Sequence, residues 1–95
     1  MSQANVQKFE ASMFEYCSNR AERAYKLIED GEIEFGLSQL GHLADVLQML
    51  MSSKSSSGTT NINTFAQEIK ELDEDDKDAV YTHFQEHGFG QYIPE

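Results

Sequence analysis

The chain has no tryptophan, one proline and one cysteine among its 95 residues. A single cysteine, Cys17, excludes an internal disulfide and fits a reducing compartment. The only proline, Pro94, leaves the rest of the chain free to be helical, and β-branched residues are sparse before residue 59. No apolar run approaches the roughly 18 residues that a spanning helix needs. The stretch Met1–Asn5 has neither the basic flank nor the apolar segment of a signal peptide. The expected location is therefore the cytoplasm, with no membrane contact.

Basic residues are also scarce. Seven Lys and Arg stand against 17 Asp and Glu, a net charge of −10. An acidic surface is steered toward cationic partners and repelled by nucleic acid and anionic lipid. Direct nucleic-acid binding is not expected. The acid is unevenly placed. Residues 1–28 are slightly basic, with Lys8, Arg20, Arg23 and Lys26 against Glu10, Glu15 and Glu22. Glu29, Asp30, Glu32 and Glu34 form one acidic run. Glu68, Glu71, Asp73, Glu74, Asp75, Asp76 and Asp78 form another, compensated only by Lys70 and Lys77.

Hydrophobic residues make up 39% of the chain and charged ones 25%, as in a globular protein. The length allows one domain, 1–95, whose own core leaves it marginal without a dimer or a partner. The expected fold is all-α. A first helix over about 3–29 carries Val6, Phe9, Met13, Tyr16, Cys17, Ala21, Ala24, Leu27 and Ile28 at steps of three and four. Asp30-Gly31 ends it, since glycine takes the left-handed conformation without penalty. A second helix over about 33–52 completes an antiparallel hairpin, 3–52. In it, Ile33, Leu37, Leu40, Ala44, Leu47 and Met51 step by 4, 3, 4, 3, 4, a heptad row. Leu43, Val46 and Leu50 form a second apolar row. Gly36 and Gly41 are expected points of close approach.

Residues 52–60, rich in serine, read as a flexible linker with no apolar anchor. An acidic helix pair and an aromatic tail follow over 61–95. Thr64 with Gln67 reads as a capping box. Asp73 is the expected N-cap of the last helix, with Glu74, Asp75 and Asp76 on its positive first turn. That helix is expected to end at His87-Gly88, with Phe89 folding back on Phe84.

No chemical motif emerges. The run from Asp73 fails as an EF-hand because Asp78 and Phe84 occupy the places of the required glycine and bidentate carboxylate. His83 and His87, one turn apart, have no evident third zinc ligand. Cys17 and His42 have no third catalytic member, and Cys17 reads as a small buried hydrophobe. No phosphate-binding loop or dinucleotide fingerprint occurs. No cofactor is expected, and the chain does not read as an enzyme.

Asn61, Asn63-Thr64-Phe65, Glu71-Leu72, Asp76-Lys77, Phe84 and Glu86 resemble the corresponding part of the T4-type phage anti-sigma factors, the AsiA family. The similarity spans about thirty residues. It implies a host-directed, phage-encoded regulator. The N-terminal helix differs from that family's, so no functional residue carries over.

The sequence thus points to a small acidic regulator or inhibitor that binds another protein with a basic surface. Glu71, Asp73, Glu74, Asp75, Asp76, Asp78, Tyr81, Phe89 and Tyr92 are the expected contact residues. Two apolar rows on one helix also point to a homodimer through Leu40, Leu43, Val46, Leu47 and Leu50. A DNA mimic occupying an enzyme's nucleic-acid site is the alternative, opposed by the near-neutral first half. A structural assembly component is a third reading.

Overall fold

A computed structural model describes residues 3–95. Four helices carry the fold: α1 Gln3–Glu29, α2 Ile33–Ser52, α3 Ile62–Ile69 and α4 Glu74–Glu86, followed by a 3-10 turn over Gly90–Tyr92. Among the described residues there is no strand, so the class is all-α. Among the same residues no helix is long and apolar enough to cross a membrane.

Local chemistry stops the helices where glycine permits. Gly31 has φ +91°, and Glu32 N–H donates to the Leu27 carbonyl at 2.9 Å. Gly88 has φ +82°, and Phe89 N–H donates to the Phe84 carbonyl at 2.8 Å. Both bonds satisfy carbonyls that a helix end leaves orphaned. The start of α3 differs from expectation. Asn61, not Thr64, is its N-cap, accepting the Thr64 N–H on its side chain at 3.1 Å. Asp73 stands at the N-cap position of α4 but makes no side-chain capping bond.

α1 and α2 pack side by side. Tyr16 meets His42, Arg20 meets Gln39, and Ala24 and Ile28 meet Gly36. The partners run in opposite directions along the two helices. Gly36 is where the backbones come closest. A Cβ there would lie 2.5 Å from Ile28 Cγ1 and 3.0 Å from the Ala24 carbonyl oxygen. Gly41, expected to be a second such point, would place its Cβ in open space.

The core gathers under one side of this pair. Phe9 is fully buried and meets the rings of Phe65, Phe84 and Phe89 edge-on, with centroids 5.6, 5.5 and 5.3 Å away. Met13, Val46, Leu50, Ile62, Ile69 and Val80 close around it. Edge-to-face aromatic pairs add about 0.5–1.5 kcal/mol each beyond their buried area.

The two rows of α2 therefore have different fates. Val46 and Leu50 are core residues of this chain, and Leu43 packs against that core. They are not available to a second copy, which corrects the expected interface. Leu40 and Leu47 remain exposed. The reason is helix phase. Gly36, Gln39, Val46 and Leu50 fall on the face that the close contact at Gly36 turns toward α1.

The serine-rich segment is a closed loop rather than a free linker. Ser55 N–H donates to the Thr59 carbonyl at 2.8 Å, and Asn61 N–H donates to the Ser53 carbonyl at 3.0 Å. Ser53 and Thr60 are buried at its base. The Thr60 hydroxyl donates to Glu10 Oε2 at 2.7 Å and ties the loop to α1. Hydroxyl groups supply the anchors that apolar residues would have supplied.

Candidate interaction surfaces

α4 lies along one side of the α1–α2 pair, and polar side chains join the three helices there. The Ser12 hydroxyl lies 2.7 Å from His83 Nε2. The Tyr16 hydroxyl lies 2.8 Å from His42 Nε2. His42 Nδ1 faces Asp76 Oδ1 at 3.4 Å without a well-formed hydrogen bond. Burial pushes the Tyr16 hydroxyl above its ordinary pKa, so it stays protonated. The tautomer with its proton on Nδ1 lets Nε2 accept from that hydroxyl and turns the proton toward the Asp76 carboxylate. Each member is committed to another, which makes the cluster a structural joint.

Burial lowers the pKa of both His42 and His83. At His42 it outweighs the pull of Asp76 and Asp45, with Arg20 acting in the same sense as burial. At His83 the neighbouring His87 adds to it, against Glu15 and Glu86. The sign follows by linkage. Both side chains take up protons near pH 6.5 in the unfolded chain and lower in the folded one, so their contribution is complete above about pH 6.5 and is lost as pH falls through the folded values. The unfolding free energy, and with it the denaturation midpoint, should therefore fall between about pH 7.5 and about pH 5.5, the free energy by at most about 1.4 kcal/mol per pH unit for each proton. His83→Asn should reduce that drop. Equal midpoints at the two pH values would contradict it.

Beside this joint an open groove of about 530 Å³ runs between α1 and α4. Arg20 and Arg23, with Glu15 beside them, line one wall, and Asp75, Asp78 and Glu86, with His87, the other, around Tyr16 and His83. Arg20 also stacks over the Tyr16 ring at 5.3 Å and donates to Gln39 at 3.3 Å. The opposed charges favour closure of the walls on each other over capture of one sign of ion.

The acidic junction between α3 and α4 is largely exposed. Glu71, Asp73, Glu74, Asp75 and Asp78 face solvent. Its two cations are engaged locally, Lys77 with Glu74 at 2.9 Å and Lys70 with the Glu95 carbonyl at 3.3 Å. Four other expected contact residues sit elsewhere. Asp76 is half-buried against His42. Phe89 is core. Tyr81 donates its hydroxyl to the Ala66 carbonyl at 2.7 Å and packs on Phe84. Tyr92 packs against the core beside Phe89. Aromatic residues in a tail read as a surface, but the Gly88 turn folds this tail back onto α1.

The opposite side of the α1–α2 pair is bare. Phe14 lies two residues from both Ser12 and Tyr16, hence on the far side of α1 from α4. Leu40 lies two residues from His42, on the far side of α2. Phe14, Tyr25, Ile33, Leu37, Leu40, Leu47 and Met51 are 37–70% exposed. The six-member heptad row, with Ala44 also exposed, is the centre of this face.

Cys17 is buried, and burial raises its thiol pKa. It therefore has little thiolate character and poor access. Compared with protein-family models, curated proteins and solved structures, the chain gives no match.

Proposed function

We propose that the protein is a small, non-enzymatic regulator or inhibitor that works by binding other proteins. One observation carries this reading: its surface is divided between a bare apolar side and an exposed acidic end, and neither serves the packing of the chain itself. Monomeric proteins rarely expose contiguous apolar patches beyond a few hundred Å². The acidic end selects a partner with a basic surface. The buried histidines, tyrosine and serine that could suggest chemistry are bonded to one another instead. Arg20 and Arg23 share a groove with Asp75 and Asp78, and this interruption of the acidic surface disfavours a DNA mimic.

The resemblance to T4-type anti-sigma factors points the same way, toward a phage-encoded regulator of a host protein in the host cytoplasm. Its residues are mostly structural here: Asn61 caps α3, Phe65 and Phe84 are core, and Leu72 packs against that core. They support a shared α3–α4 unit rather than a shared contact surface.

The test is kinetic. A partner identified by affinity capture should associate roughly tenfold more slowly at low salt with an Asp73→Asn, Asp75→Asn, Asp78→Asn variant, with a smaller change in dissociation. The fold should persist, because these carboxylates are exposed. An unchanged low-salt association rate would reduce the acidic junction to a solvated face.

A further inference from the structure

We infer that the bare side of α2 is covered by a second copy of this chain, with the two α2 helices antiparallel. The inference rests on the reading of that side as a protein-contact face and names its occupant. Four features of α2 favour a second copy.

The first is symmetry of spacing. The row Ile33, Leu37, Leu40, Ala44, Leu47, Met51 steps by 4, 3, 4, 3, 4, the same read in either direction. A reversed copy therefore meets it row for row, with Ile33 opposite Met51 of the second copy and Leu37 opposite its Leu47. The second is size. In that register Leu40 meets Ala44 of the second copy, and Ala44 meets its Leu40. A large side chain enters the space left by a small one on both sides of the twofold axis. Gly41, with open space around it, keeps the adjoining flank low. A parallel pair would set alanine against alanine and leave a void.

The third feature is charge. Glu29, Asp30, Glu32 and Glu34 run from the end of α1 into the first turn of α2, and Lys54 stands just past the end of α2, all exposed. The antiparallel arrangement brings Lys54 of the second copy to this acidic run. A parallel arrangement sets the run against itself, which is destabilising between close like charges. The fourth is extent. Five side chains of the row, Ile33, Leu37, Leu40, Leu47 and Met51, are 37–70% exposed and run the length of the helix, and a second copy of the row covers that stripe end to end.

Orientation can be read by cross-linking the full chain in a Cys17→Ala background. Ile33→Cys and Met51→Cys variants, mixed and gently oxidised, should give a cross-linked pair, while neither alone should do so. Leu40→Glu should convert the dimer to a monomer by light scattering, with helix content kept. Cross-linking of Ile33→Cys with itself would overturn the antiparallel register. A wild-type chain that stays monomeric, or a Leu40→Glu chain that stays dimeric, would overturn the interface. The functional reading fails separately. A monomeric wild type that still captures a basic partner removes only the dimer, and a dimer with no such partner leaves this inference standing alone.

Discussion

Val46→Asp is expected to abolish folding, whereas Leu47→Asp, one residue away, leaves the monomer folded. Val46 has no exposure and packs against the core beneath α1. Aspartate there would be a buried charge without a cationic partner. Breaking a buried pair to leave such a charge costs about 3–5 kcal/mol, and loss of the valine packing adds to it. A domain of this length has roughly 5–14 kcal/mol of stability to lose. Leu47 is 37% exposed on the bare side, so its replacement removes only partial burial within one chain. Far-ultraviolet circular dichroism with thermal denaturation separates the cases. Val46→Asp should show no cooperative transition, and Leu47→Asp should melt cooperatively as a monomer. A cooperative Val46→Asp melt near that of the wild type would mean that the inward row of α2 has been misassigned.

Phe9→Ala should cost about 3–5 kcal/mol, the range for removing a buried aromatic ring. Phe9 is where α1, α3, α4 and the C-terminal turn meet, because its ring touches Phe65, Phe84 and Phe89. The cavity would open among rings held by three separate elements, so little can collapse into it. Each kcal/mol lowers the melting temperature of a domain this size by about 4–8 °C. The midpoint should therefore fall by roughly 12–40 °C. A fall of only a few degrees would show that the aromatic cluster is not the keystone of the core.

The contrast between Val46 and Leu47 depends on which row of α2 faces inward, and that was not legible in the sequence. The extents of α1 and α2 were, because their signals are local: apolar steps of three and four, and between them a glycine, Gly31, free to take positive φ. Two apolar rows on one helix look equivalent to periodicity. The choice between them falls to tertiary contact, here the approach of Gly36 to Ala24 and Ile28. The loop over residues 53–60 was misread for a related reason. Its anchor is Thr60 on Glu10, fifty residues away in the chain, and serine-rich composition carries no sign of it.

The candidate surfaces divide in the same way. The exposed carboxylates were readable, since a dense acidic run at a helix start has few places to go but solvent. Asp76 was not separable from its neighbours. Its pairing with His42 arises from packing of α4 against α2, and only the oddity of a histidine amid the apolar rows of α2 hinted at a buried polar partner. Composition places Phe89 and Tyr81 at the surface, but a glycine turn and a backbone carbonyl draw them inward.

The bare side of the α1–α2 pair is the surface on which the proposed pairing of two copies turns. Sedimentation equilibrium of the wild-type chain across the micromolar range tests it most directly. A side that associates through the α2 heptad row requires a species of twice the 10.8 kDa chain mass, dissociating on dilution. A single species at the chain mass throughout that range would contradict it.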